Sequence, residues 1–284
     1  MNDKQVNIGK ISYINDAPVY YGLDHGLLPD WLRMVSDVPS VLNRKIKTGQ
    51  IKVSPISAAF YAMNHRELLL LPDLSISCNG KVLSVILASN YEIDDLEGKK
   101  VMLSQESASA ASFLKMIFSR KKVTPVYEVG PVNNYQEISK SADAVLVIGD
   151  TALKHPWDQT FEYCIDLGQL WYEMTQLPFV FAVWAVRRSF AQKYPSRVKE
   201  IHKLLLESKK QGYQHIDKIV EAGTDKLNLE QSVIKEYFDL LYCDLDDRKI
   251  KAMRLFFDSL LDQGILSEKA DIEFFTGSRM EHIF

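Results

Sequence analysis

Short apolar runs and polar breaks alternate through the first two thirds of the chain, and the texture changes after Arg188. The runs Val6 to Ile11, Ile51 to Ile56, Leu68 to Ile76, Val82 to Ala88, Lys100 to Ser104, Thr124 to Val129, Ala144 to Ile148, Phe161 to Asp166 and Phe179 to Val186 have the length of buried strands. Helical spacing fills the gaps: Val41, Leu42 and Ile46 form one stripe closed by Gly49, and Ala58 to Met63 follow Ser57, a natural N-cap. Strands alternating with helices predict an α/β protein. Beyond Arg188 the pattern is amphipathic helix only. One helix is expected from about Ser196 to Ala222 with Val198, Ile201, Leu204 and Leu205 inward, and a second starts at Asn228 and carries Val233, Ile234, Tyr237, Phe238 and Leu241. A third carries Ile250, Met253, Phe257, Leu260 and Leu261 and stops before Gly264. These three read as scaffold.

Two stretches share one design. Between Ile8 and Leu23 an apolar strand breaks into the polar turn Ser12 to Asp16 and a helix opens, with Asp16 placed to cap it and Pro18 in the first turn, where a missing N–H is harmless. Between Val101 and Leu114 a strand breaks into a serine-rich turn ahead of a helix carrying Phe113, Leu114, Ile117 and Phe118. Such turns set small polar side chains and helix-start amides at the carboxyl ends of strands, where open α/β sheets bind ligands, and they favour an anion. Two such units imply two lobes facing one ligand. A chain that leaves one lobe, builds another and returns crosses twice, expected near Ala88 to Tyr91 and near Ala185 to Arg188. Residues 1–88 and 188–284 then make the first lobe and 89–187 an inserted second one.

Composition narrows the chemistry. The 284 residues, 46% hydrophobic and 25% charged, are enough for full cores. The net charge of -3, without a basic run interleaved with aromatics, argues against a nucleic-acid partner. No apolar run reaches membrane-spanning length and the first residues lack the core of a secretory signal, so a cytoplasmic protein with no membrane partner is expected. Cys78, Cys164 and Cys243 read as small buried hydrophobes in a reducing compartment. The six histidines show no metal-ligand spacing, and dinucleotide, P-loop and nucleophile-elbow glycine motifs are missing. Neither a metal nor a cofactor is expected, and nothing in the chain fixes an oligomeric state.

What remains is a set of small polar residues at strand ends: Ser12, Asn15, Ser57, Asn79, Ser84, Ser104, Ser107, Ser109 and Asp150. Hydroxyls and amides can hold a carboxylate without a buried cation, so the expected partner is a small organic acid. Each residue also has a plainer use: Ser57 and Ser107 as helix caps, Asn15 as a brace for its own turn, Asp150 as a cap at Thr151. Tyr13, Trp171, Phe179, Phe181 and Trp184 either wall a cleft or fill the core.

Taken in order, the segments Gly9 to Pro18, Gly49 to Ala59, Gly80 to Val85, Ser104 to Ser109, Val147 to Leu153 and Asp166 to Trp184 resemble the chorismate dehydratase family of the futalosine route to menaquinone. A sister branch opens on a Ser-Pro-Cys-Pro-Asn-Asp-like motif, whereas this chain reads Ser-Tyr-Ile-Asn-Asp-Ala-Pro from Ser12 to Pro18, as the dehydratase branch does. Two positions depart: Ala110 stands where the family more often has a hydroxyl, and Gln176 where it more often has glycine. The resemblance implies a two-lobed, periplasmic-binding-protein-like type 2 fold that closes over its ligand. It also implies conversion of chorismate to 3-[(1-carboxyvinyl)oxy]benzoate and water without a cofactor. On this reading Asn15 is the catalytic residue that orients the reacting groups, and Ser12, Ser57, Asn79, Ser84, Ser107, Ser109 and Asp150 bind substrate. The matched motifs hold no evident His, Lys or Glu base, which leaves the substrate's enolpyruvyl carboxylate as proton acceptor. A solute-binding protein or sensor of the same architecture, and an enzyme of the route with a bulkier nucleoside substrate, are the competing readings.

Overall fold

The computed structural model describes residues 5–106, 108–132 and 135–277. Its strands are β1 (Val6–Ile11), β2 (Leu32–Asp37), β3 (Val53–Ser57), β4 (Leu68–Cys78), β5 (Val85–Ser89), β6 (Lys100–Ser104), β7 (Val126–Gly130), β8 (Ala144–Ile148), β9 (Tyr163–Asp166), β10 (Phe179–Arg187) and β11 (Leu241–Tyr242). They form a six-stranded sheet in the order β11-β4-β10-β3-β1-β2 and a five-stranded sheet in the order β7-β6-β8-β5-β9. In the first sheet β2, β1 and β3 run parallel and β10 is antiparallel to both β3 and β4. In the second, β7, β6 and β8 run parallel and β5 is antiparallel to β8 and β9. The mixed α/β class expected from the sequence is the class observed. β3 and β8 are buried at every position, as strands covered on both faces are.

The chain changes sheets between Cys78 and Val85 and again between Asp166 and Phe179. These changeovers precede the crossings expected at 88–91 and 185–188, because β5 already pairs with β8 and β10 returns to β3 and β4. Two strands escaped the hydrophobic pattern. β2 is an edge strand with only Leu32 buried, and β11 has two residues. The long helix expected from 196 to 222 is two helices, Pro195–Gln214 and Ile216–Leu227, broken at His215, whose ring stacks on Tyr21 at 5.1 Å. Asn228 is the left-handed C-cap of the second (φ 53°), so the next helix starts at Gln231. Gln176 likewise ends the helix Leu167–Thr175 with φ 57°, which accounts for the glycine that the resemblance puts there.

Trp171, Phe179 and Trp184 belong to the core. Trp171 and Phe179 pack with Phe113 and Phe256, the Trp171 Nε1 donates to the Pro178 carbonyl at 2.9 Å, and the Trp184 Nε1 donates to the Tyr20 hydroxyl at 3.0 Å. Among the cysteines, Cys78 and Cys243 are buried as expected, but Cys164 is exposed. All three thiols are free.

Asp16 does not cap the helix it precedes. Its carboxylate turns back to accept from the Ile11 N–H at 2.6 Å, it is wholly buried, and its second oxygen has no partner. Burial raises its pKa well above the ordinary 3.8, against the attraction of Lys10 and the Ile11 bond. An acid with a raised folded pKa gives its full stabilisation below pH 3.8 and loses it as pH climbs through the folded value. Asp16→Asn keeps an acceptor for Ile11 and carries no charge. It is expected to be more stable than the parent at neutral pH, with the difference shrinking towards zero near about pH 4, as urea midpoints at the two pH values will show.

Candidate functional site

The carboxyl end of β1, the start of the helix after β3, the loop before β5 and the end of β8 converge on one cavity of about 50 Å³. Ile11, Ile56, Ile76, Phe181 and Ala182 line it from the first sheet, Val85 and Ile148 from the second. The polar side chains on its wall are Asn15, Ser57, Ser84 and the Tyr13 hydroxyl. Three of the predicted site residues are therefore brought together across the two sheets.

Each is held by a distinct device. Ser57 caps the helix Ala58–Met63, its Oγ accepting from Phe60 N at 3.3 Å, and the buried Asn43 brackets it with bonds to its N–H and its Oγ. Ser84 Oγ accepts from the Tyr237 hydroxyl at 3.1 Å, while its carbonyl accepts from Gly149 N at 2.8 Å. Among the described residues neither serine donates its own proton to the protein, so both O–H groups are available to an acceptor in the cavity. The loop carrying Ser84 is pinned by Asp166, which accepts from Val82 N and Leu83 N at 2.9 and 2.7 Å and caps its own helix at Gln169. Asn15 lies in a 3₁₀ turn, Ile14–Asp16, and its amide oxygen is buried without a partner. An unpaired buried acceptor costs roughly 1–3 kcal/mol, so the site is short of a donor where Asn15 faces the cavity.

The other candidates have different employment. Ser109 is buried and its Oγ accepts from Ala59 N at 2.8 Å, bridging the two halves. Asp150 accepts from Ile14 N at 2.9 Å and pairs with Lys226 at 2.9 Å, so the anion drawn to the first turn is the protein's own carboxylate. The Ser12 carbonyl accepts from the same Lys226 at 2.5 Å. Asn79 is exposed and off the cavity wall, and Ser104 Oγ accepts from Glu106 N at 3.3 Å. Ser107 lies outside the described residues. Tyr13 and Phe181 are the two aromatics from the expected set that line the cavity. The helical tail is more than scaffold, since it supplies Tyr237 and Lys226 to this region. Nothing in its 3.6-residue pattern marked either one: Tyr237 occupies an ordinary core position and Lys226 a surface one.

A family described as menaquinone biosynthesis matches residues 6–261. Chorismate dehydratase of Thermus thermophilus is 31% identical over 245 residues, covering 81% of this chain and 86% of that protein. A protein of Archaeoglobus fulgidus has the same fold, with a TM-score of 0.77 at 19% identity over 94% of this chain and all of that one. A Candida albicans protein described as having the generic periplasmic binding protein fold superposes with a TM-score of 0.68 at 13% identity, over 95% of this chain and 98% of its own. The two-lobed, periplasmic-binding-protein-like architecture expected from the sequence is thus the observed one.

Proposed function

The chain belongs to the menaquinone biosynthesis family, and from that premise we propose that it is a chorismate dehydratase, a carbon–oxygen lyase acting in the cytoplasm on one small dicarboxylate. The three free thiols fit a reducing compartment. The observation that carries the reading is the buried, unpartnered amide oxygen of Asn15, facing a cavity whose remaining polar groups are hydroxyl donors. Chorismate supplies what each lacks. Its ring hydroxyl donates to Asn15, and its ring carboxylate accepts from Ser57 and Ser84.

Chemically, the C–H bond breaks at the ring carbon bearing the enolpyruvyl ether. The electron pair spreads through the ring diene towards the ring carboxylate, and hydroxide leaves from the neighbouring carbon. The proton passes to the enolpyruvyl carboxylate and leaves with the hydroxide as water, so no oxidant or reductant is needed. Hydroxyl donors fixed in advance stabilise charge as it accumulates on the ring carboxylate, and aromatisation supplies the rest of the driving force. Among the described residues the cavity wall carries no His, Lys, Asp or Glu, in keeping with a substrate group as base.

A cavity of about 50 Å³ holds a few waters but not a ring with two carboxylates, so the halves part before substrate enters. The test is direct. Purified protein mixed with chorismate is expected to develop benzoate-type absorbance with a product lighter by one water. Saturable binding with chorismate left intact would instead favour a solute-binding protein.

A further inference from the structure

We propose that a second cavity, immediately outside the first, is the entrance through which an anionic ligand reaches the site, and that Tyr13 is the gate between them. This rests on the site assignment above. The outer cavity measures about 310 Å³, within the range of small-ligand pockets, against about 50 Å³ for the inner one. Ile11 and Tyr13 line both, so the two spaces share a wall.

Tyr13 is fixed by groups from the other half of the molecule. A Cβ on Gly149 would stand 2.6 Å from the Tyr13 ring, so the ring lies directly against that glycine, whose φ of +59° also disfavours a side chain. The Tyr13 hydroxyl donates to the Glu106 carboxylate. Glu106 follows β6 and Gly149 follows β8, whereas Tyr13 follows β1. Swinging the ring aside therefore means breaking one charge-assisted bond and sliding off one glycine, with no core side chain displaced.

The outer cavity is furnished for a carboxylate. Lys10, Lys218 and Lys226 line it, with Ser12 and Ser36. Lys10 is paired with Asp24 and Lys226 with Asp150, while Asp16 lies buried at the base and His25 and Tyr21 close one side. Lys218 is exposed and has no ion pair or hydrogen bond among the described residues. It is the cation left over to receive a charged group from solvent, and long-range attraction of this kind acts on arrival rate more than on final affinity.

The experiment is stopped-flow binding of the unreactive benzoate product to the full chain, read by intrinsic fluorescence. Tyr13→Phe keeps the ring and loses the latch, and it is expected to raise association and dissociation rates together, each about fivefold to tenfold, with Kd changed less than about twofold. Glu106→Gln should move both rates the same way. Lys218→Gln is expected to slow association about twofold to threefold at low salt, with the difference vanishing at about 0.5 M salt. Unchanged rates in Tyr13→Phe and Glu106→Gln, or a change in dissociation alone, would overturn the gate. A salt-independent effect of Lys218→Gln would overturn the entrance. If the parent chain binds no product at all, the site assignment falls and this inference with it, an outcome distinct from normal binding with variants that behave like the parent.

Discussion

Replacing Asn15 by Ala is expected to lower kcat on chorismate about a hundredfold or more while changing KM less than about threefold. The reasoning starts from the strand. β1 ends at Ile11, and the chain then turns through Ser12 and Tyr13 into a single 3₁₀ turn, Ile14–Asp16, that holds Asn15 at the cavity wall. Asp150 fixes the turn from the other half through Ile14 N, and Asp16 fixes it from below through Ile11 N. Asn15 is therefore held without using its own amide oxygen, which stays buried and unpaired. A group kept unsatisfied by its surroundings gains most when a donor forms in front of it, and the departing hydroxyl is such a donor. Removing the amide takes away orientation of the leaving group and little of the grip on the carboxylates, which Ser57 and Ser84 provide. Steady-state kinetics with a parallel product-binding isotherm checks this; equal losses in kcat and in product affinity would show that Asn15 only binds.

Gly212→Ala is expected to give the largest loss of stability. Gly212 lies on the helix Pro195–Gln214 where it crosses the helix Ala17–Gly22, and a Cβ there would stand 2.0 Å from the Pro18 carbonyl oxygen and 2.7 Å from its carbon. These are backbone atoms and cannot rotate away. The same crossing brings the Cβ position of Gly22 to 2.8 Å from the Ser208 Cα, and Ser208 Oγ accepts from Leu23 N at 3.0 Å, so neither helix has room to slide. Overpacking of this kind costs about 3 kcal/mol or more, and the better helix propensity of Ala returns only about 1 kcal/mol. The net loss of about 2 kcal/mol lowers Tm by roughly 5 °C or more in a chain this long. Because Pro18 follows Asn15 by three residues, turnover should fall as well. A Tm within about 1 °C of the parent would show that the helices separate at no penalty.

Features set by neighbours in sequence were legible before any coordinates: Pro18 in its first turn, Ser57 as a cap, the buried runs of β3 and β8, the helix of Phe113 to Phe118. Features set by residues far apart were not. Ser109 reads as a ligand hydroxyl until Ala59, fifty residues away, is seen to use it, and Asp150 reads as a ligand or a cap until Ile14 N and Lys226 appear beside it. Leu83 carries a left-handed φ of 62° that its residue type conceals, and Asp166 holds that loop over a separation of 83 residues. β2 is too polar and exposed to show a strand period. Asn15 and Ser84 were found because small polar residues at strand ends are few, while Asn43 and Tyr237, which support the two serines, look like ordinary helix residues in sequence.

The central claim is that groups from both sheets close on one small acid. Titrating the benzoate product into the full chain and following backbone amides by NMR tests it most directly. The amides of Asn15 and Ser57 on one side, and of Ser84 and Gly149 on the other, are expected to shift together with a single dissociation constant. Shifts confined to one of these pairs, or two unrelated constants for the two, would contradict it.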